Sequence, residues 1–370
     1  IKDAIASLES IQYNVRPWLQ AAEKNTADSL SFYLQQSIRI LENNTSFDSF
    51  DRMSFFMQGM LPLQTWLGRL IKQMNLVLNT TQVLNYETPH ILSKNALSVS
   101  NFHKKEYSYT KEMVLLGKKL FSETILSGNN ARSCISCHEP GKYFTDGLQK
   151  STAFDGHNTV NRNAPSLLYA AYQYGFFLDG RAPSLEEQVL MVLGSPSEMN
   201  ADLSRSTELL KKKKSYRRLF KKAFPGIAAD SLFSPQTIAR AIAAYEISLP
   251  VMNSAFDRYI AGDNTALTIQ EIKGFNLFMG KALCGTCHFL PLFNGLLPPS
   301  YNIMELESLG MIESNNIDHP VADRDSGRFH FFPIEFYTGV FKTPTVRNIA
   351  KTPPYMHNGA FSSLQEVLQF

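Results

Sequence analysis

The sequence predicts an all-α fold. Three observations carry this: apolar residues recur at helical spacing, capping boxes precede several of the runs, and no period-2 alternation is sustained. Leu30, Leu34, Ile38 and Leu41 fall on one helical face. Leu63, Leu67, Leu70, Met74 and Leu78 fall on another, behind Pro62 at a first-turn position. Met113 to Leu120 makes a further run. Ser184-Leu185-Glu186-Glu187 opens a helix through Val189, Leu190 and Leu193, and Ser234-Pro235 begins one over Thr237 to Ser248. Ile272, Phe275, Leu277, Phe278 and Leu283 predict a helix that runs into Cys284. Ser363-Leu364-Gln365-Glu366 caps a last one, with Leu364, Val367 and Leu368 as its stripe. Phe329 to Phe332 and Phe336 to Phe341 could pair briefly as strands.

With 370 residues the chain can form two or three domains, each burying its own core. Residues 1–80 read as an N-terminal helical domain without cysteine. Residues 81–107 are polar, interrupt the periodicity and read as a linker. A composition of 44% hydrophobic and 19% charged residues argues against wholesale disorder. The formal net charge of +3 is too small to imply a nucleic-acid or membrane partner. Lys211 to Lys214, with Arg217 and Arg218, read as a solvated helix face, with docking of an acidic electron-donor protein as the sharper alternative. No stretch approaches the roughly 18–20 apolar residues that cross a bilayer. A start at Ile1 without a signal-peptide pattern suggests a processed or trimmed chain, and a helix cut off at Phe370 suggests that more sequence follows.

All four cysteines fall in two CxxCH units, Cys134-Ile135-Ser136-Cys137-His138 and Cys284-Gly285-Thr286-Cys287-His288, set 150 residues apart. In such a unit two thiols add to the vinyl groups of one porphyrin, and the trailing histidine supplies an axial nitrogen to its iron. A structural zinc site would need one compact set of four ligands, and a thioredoxin-like redox pair does not require a histidine after it twice. The spacing therefore predicts two haem c groups, with Cys134, Cys137, Cys284 and Cys287 as attachment residues and His138 and His288 as iron ligands. Two ferric haems add about one negative charge each through their propionates, which brings the loaded protein near neutrality. Haem attachment of this kind implies export, and with no thiol left over no disulfide is expected. The fold expected is two cytochrome c-like haem domains in tandem, residues 108–255 and 256–370, behind the N-terminal helical domain.

The residues around these units resemble the bacterial dihaem cytochrome c peroxidases. The resemblance runs through Gly117-Lys118-Lys119-Leu120-Phe121, Arg162-Asn163-Ala164-Pro165-Ser166, Asp179-Gly180-Arg181-Ala182 and Glu198-Met199. It continues in Phe256-Asp257-Arg258-Tyr259, Phe341 to Asn348 and Pro354-Tyr355-Met356-His357-Asn358-Gly359. It covers about residues 113–370 and leaves out the N-terminal block. It implies a periplasmic enzyme that reduces hydrogen peroxide with electrons from a small donor such as a monohaem cytochrome or cupredoxin, often as a homodimer. The first haem would be the peroxidatic one and the second its electron relay.

By the same resemblance, His157, 19 residues after His138, is the removable distal ligand of the first iron. Glu198 is the distal acid that moves a proton during O–O cleavage, and Gln188 the amide beside it. Asn163, Thr352 and Pro354 would hold a calcium ion. Taken by themselves, His157 is an exposed loop histidine, Glu198 caps or solvates a turn, and Asn163 and Thr352 are turn residues. Leu178 stands where the family often has a tryptophan, with Phe177 or Tyr174 available to fill the space. The second haem's distal ligand, methionine in the peroxidases and tyrosine in relatives that mature a tryptophylquinone, should fall one position beyond Phe370. Met304, Met311, His319 and His330 are weaker candidates, and Met356, at a position usually aromatic in the family, reads as packing. A dihaem oxidase acting on a protein side chain, or a non-enzymatic electron carrier, are the alternatives. The N-terminal helices would cover the haem domains or dock a partner.

Overall fold

A computed structural model describes residues 1–103 and 109–370. The end of the predicted linker and the first residue of the predicted first haem domain lie outside the described residues. Helices α1 (Lys2–Ala21), α2 (Lys24–Glu42), α3 (Arg52–Phe55) and α4 (Leu61–Gln73) come first, with a π-helical turn at Phe56–Met60. Then follow α5 (Lys111–Phe121), α6 (Leu185–Gly194), α7 (Leu203–Lys212), α8 (Lys214–Ala223) and α9 (Pro235–Ile247). The last three are α10 (Ala255–Ile260), α11 (Ile269–Phe278) and α12 (Leu364–Gln369). A two-stranded antiparallel sheet pairs β1 (Leu306–Glu307) with β2 (Phe341–Lys342). The protein is thus mostly helical, but not purely so. The predicted pairing of Phe329 to Phe332 is replaced by a 3-10 turn at Arg328–His330, and Phe341 pairs with Glu307 instead.

The predicted caps form: Ser184 accepts from the Glu187 amide, and Ser234 and Ser363 head reciprocal capping boxes. Thr268 heads a further box, before α11, that the sequence reading did not name. Two helices stop earlier than their apolar stripes. α4 ends at Gln73 because Asn75 turns left-handed and the Leu76 amide closes back on the Ile71 carbonyl at 3.3 Å, leaving Leu78 outside. α11 ends at Phe278, and Leu283, expected on its stripe, is left-handed and exposed.

The chain divides into two compact units. One joins Ile1–Asn101 to Val251–Asn302, so the N-terminal helices share a unit with the second CxxCH motif. Leu8, Leu30, Leu34, Leu41, Leu63 and Leu70 form one core there, and Met53, Leu61, Leu92, Ile260 and Phe275 a second. Asn276 of α11 donates to Asp51 and accepts from the Met53 amide. Phe56 meets Phe275 edge-on, their ring centroids 6.0 Å apart. Trp66 packs at the margin of the first core, whereas Trp18 is exposed.

The other unit joins Phe102–Pro250 to Ile303–Phe370. Its core, Leu116, Leu120, Phe121, Leu193, Leu210, Tyr216, Phe220, Ile238 and Ile242, lies among α5 to α9. α8 turns Tyr216 and Phe220 inward and leaves Lys214, Arg217, Arg218, Lys221 and Lys222 exposed. α5 and α9 approach so closely that a Cβ on Gly117 would lie 1.8 Å from the Ala241 carbonyl oxygen. Gly117→Ala must therefore push two helices apart, and we expect it to cost at least about 2 kcal/mol, read as a lower unfolding midpoint. Among the described residues no helix is long and apolar enough to cross a membrane.

Candidate haem-binding site

The two CxxCH motifs adopt the same local fold. Each begins with a 3-10 turn, Cys134–Ser136 in one unit and Cys284–Thr286 in the other. The His138 amide closes on the Cys134 carbonyl at 2.9 Å, and the His288 amide on the Cys284 carbonyl at 3.0 Å. In both, the chain then doubles back through a short antiparallel bridge, Glu139 with Thr145 and Phe289 with Asn294. A left-handed aromatic residue, Phe144 or Phe293, turns its carbonyl toward the histidine. His138 Nδ1 lies 3.1 Å from the Phe144 oxygen, and His288 Nδ1 lies 3.1 Å from the Phe293 oxygen. A carbonyl can only accept, so Nδ1 carries the proton and Nε2 keeps its lone pair for a metal. Burial also lowers the His138 pKa, against the Phe144 bond, which keeps its ring neutral as a ligand must be. No disulfide joins the four cysteines. Two thiols and one oriented imidazole per turn are the donor set that covalent haem requires, and both turns fit it.

Around the first turn, the backbone of two loops, those that carry His157 and Glu198, is tied to the CxxCH entrance by a group that the sequence did not single out. Arg132, two residues before Cys134, donates to the Glu198 carbonyl at 3.0 Å and to the Ala153 and Thr152 carbonyls at 2.9 and 3.2 Å. The Phe154 amide adds a bond to the Ser197 carbonyl at 2.8 Å. One guanidinium thus ties the entrance of the CxxCH turn to the base of the His157 loop and to the Glu198 loop. Its acceptors are backbone oxygens, which leave no mark in a sequence. His157 stands exposed at the tip of its loop, closed below by the Thr152–Thr159 bridge. Asp155 shapes the tip by accepting from the Asn158 and His157 amides. Glu198 follows the end of α6 and is half-buried. Its carboxyl is raised above the ordinary range by burial, opposed by a Ser195 hydrogen bond and the Arg181 charge. Gln188 lies half-buried on the same helix.

In the same unit, Asp179 is fully buried and accepts from Arg162 and Arg181, the latter at 2.7 Å. Arg162 also grips Asp325 in two-pronged fashion, at 2.6 and 2.8 Å. Lys342 reaches Gln173 at 2.6 Å and the Gly175 carbonyl at 2.8 Å, and its amide bonds the Leu178 carbonyl. Burial pushes the Lys342 amine down to about 7. Lys342 thereby fixes the segment in which Leu178 stands at the position often held by tryptophan. Arg181 stacks on Phe177 at 3.5 Å, so aromatic packing fills that neighbourhood.

Of the predicted calcium ligands, Asn163 is brought to the segment carrying Thr352 and Pro354 by its amide bond to the His357 carbonyl at 2.7 Å. Its side-chain nitrogen donates to the Leu148 and Gln149 carbonyls, which frees the amide oxygen to face another way. The three donors are all neutral, and no group of three His, Cys, Asp or Glu converges among the described residues.

These features define a chain built to carry two covalently bound haems, one at each CxxCH turn. The family model described as di-haem cytochrome c peroxidase matches residues 111–265. The chain is 34% identical over 268 residues to the methylamine utilization protein MauG of Methylorubrum extorquens, covering 72% of this chain and 70% of that one. It is 33% identical over 260 residues to the cytochrome c551 peroxidase of Nitrosomonas europaea, covering 70% and 72%. A solved structure of a MauG-like protein associated with microbial copper homeostasis is similar at a TM-score of 0.65 and 29% identity, covering 72% and 78%. The chain belongs to the di-haem cytochrome c peroxidase family, and it is an oxidoreductase of that type.

Proposed function

We propose that this protein is a periplasmic peroxidase that reduces hydrogen peroxide to water, taking two electrons and two protons per peroxide. The electrons come from a small redox protein, a monohaem cytochrome or a cupredoxin. The observation that carries this reading is the Arg132 junction, which gathers the first CxxCH turn, the His157 loop and Glu198 into one place.

Held by Cys134 and Cys137, with Nε2 of His138 as ligand, the first haem would supply an iron that binds peroxide and passes electrons to it. The protein's own part is proton handling and access. A Glu198 carboxyl raised by burial can take a proton from one peroxide oxygen and return it to the other as the O–O bond breaks. The Gln188 amide can hold the peroxide by hydrogen bonds. His157 would leave from an exposed loop tip, which disturbs no core. Cys284, Cys287 and His288 would hold the relay haem. Calcium at Asn163, Thr352 and Pro354 would bring its own waters, since the protein offers it three neutral oxygens. A second reading, oxidation of a protein side chain, is favoured by the likeness to MauG.

The test is peroxide turnover by the haem-loaded protein with a reduced donor. Wild type should need pre-reduction of one haem, and His157→Gly should turn over peroxide from the fully oxidised state. Equal dependence on pre-reduction in both proteins would remove His157 from this role.

A further inference from the structure

Two carboxyls outside the peroxide-handling set are buried together in the unit that holds the first CxxCH motif. Glu186 is 7% exposed and Glu246 is 4% exposed, on α6 and α9, which pack against each other. Charged side chains are almost never buried this far without a partner. Glu186 has one: the Tyr109 hydroxyl donates to it at 2.8 Å. Glu246 Oε2 has no hydrogen-bond partner among the described residues.

The two helices treat these acids in opposite ways. Glu186 is the second residue of α6, where the positive end of the helix dipole and the free amides favour a negative charge. Glu246 is the last residue but one of α9, where the free carbonyls disfavour it. Burial, and then the charge on Glu186, push Glu246 up to about 8. Cys134 is the third member. Burial pushes its thiol up to about 12, and the next contribution comes from Glu246. That thiol sulfur stands where the thioether sulfur of the first haem would be. Tyr245, beside Glu246 on α9, is also raised, by burial and then by Glu246. Of the other charged or titratable residues near these elements, Lys111, Glu112, Lys118 and Lys119 of α5 and Glu187 of α6 are exposed, Arg240 of α9 is half-buried with its guanidinium over Phe224 at 5.3 Å, and His103 packs edge-on against Tyr109, its pKa lowered to about 4 by burial.

We propose that Glu186 and Glu246 form a carboxylate–carboxylic acid pair behind the covalent edge of the first haem, and that the proton on Glu246 sets how readily that haem is reduced. Both are positioning residues, acting through charge and touching neither peroxide nor iron. With Glu246 neutral the pair carries one negative charge. When Glu246 gives its proton to water the pair carries two, and the extra charge favours the oxidised haem. Reduction of that haem by one electron is therefore coupled to uptake of a proton at Glu246. This rests on the first haem being attached at Cys134 and Cys137.

The experiment is a redox titration of the haem-loaded protein across pH, followed by haem absorbance, with redox-difference infrared spectra in parallel. In wild type the potential of the first haem should fall as pH rises through the Glu246 ionisation, and a protonated-carboxyl band should change with redox state. In Glu246→Gln that slope and that band should disappear. In Glu186→Gln the slope should move to lower pH, because the opposing charge is gone. A slope and band that persist in Glu246→Gln, or are absent in wild type, would overturn the proposal. Thermal unfolding of both near-isosteric variants shows that they are folded. A haem assay giving one haem per chain, at Cys284 and Cys287 alone, would sink the reading of the first site as well. Two haems with a potential that ignores pH would sink the carboxyl pair alone.

Discussion

Glu198→Gln should lower kcat/KM for peroxide about 100- to 10,000-fold, the usual contribution of a positioned general acid–base group. The substitution keeps the size of the side chain and its capacity to hydrogen-bond Ser195, so the fold at the end of α6 should persist. What it removes is a proton that can be taken up and returned. Burial raises the Glu198 carboxyl, while Ser195 and the charge of Arg181 hold it down. Steady-state peroxide consumption by the haem-loaded variant checks the expected loss. An unchanged kcat/KM would return Glu198 to the role of a turn residue.

Asp179→Asn is the second large effect, and it falls on stability. Asp179 has no exposed surface and faces Arg162 and Arg181, while its backbone carbonyl accepts from Arg328 at 3.0 Å. Loss of one partner from a buried ion pair costs about 3–5 kcal/mol, because a charge is left without its counter-ion, here Arg181, whose side chain is only 18% exposed. Asp325 continues to hold Arg162, which places the cost toward the lower end of that range. The same network makes the protein acid-sensitive. Burial raises Asp325, but the Arg162 bonds and charge outweigh it and the carboxyl ends below its ordinary value of 3.8. A depressed carboxyl stabilises the fold above its unfolded pKa, and that stability is lost as pH falls below 3.8 toward the folded value. Denaturant unfolding of wild type and Asp179→Asn, compared near neutral pH, gives the difference directly.

What could be read from the sequence follows the range of the interaction that makes it. The CxxCH turns were legible because their chemistry is confined to five adjacent residues, and the caps at Ser184, Ser234 and Ser363 because they act over one helical turn. The helix stop at Asn75 and the left-handed Leu283 were not, since an apolar stripe continues in a sequence after the backbone has turned away. Longer-range pairs were hidden altogether. Nothing near Asp51 announces that it will accept from Asn276, 225 residues on, and this is one of the contacts that put the N-terminal helices with the second CxxCH motif. Arg132 was overlooked because it binds backbone oxygens. Glu246 did leave a sign, an acid in the otherwise apolar run Ala241 to Ile247, where a charge has no reason to lie unless it is partnered or neutral.

The two CxxCH turns share a backbone but not a setting. The first has the Arg132 junction, the Glu198 acid and the exposed His157 around it, and the second lies against Phe278 in a wall of aromatic rings that continues through Phe293, Phe256 and Phe275. Electron paramagnetic resonance of the half-reduced, haem-loaded protein, recorded before and after one equivalent of peroxide, tests this inequality most directly. The expected result is a change confined to the haem held by Cys134 and Cys137, and lost in Glu198→Gln. Reaction at the haem held by Cys284 and Cys287, or two low-spin signals that peroxide leaves untouched, would contradict it.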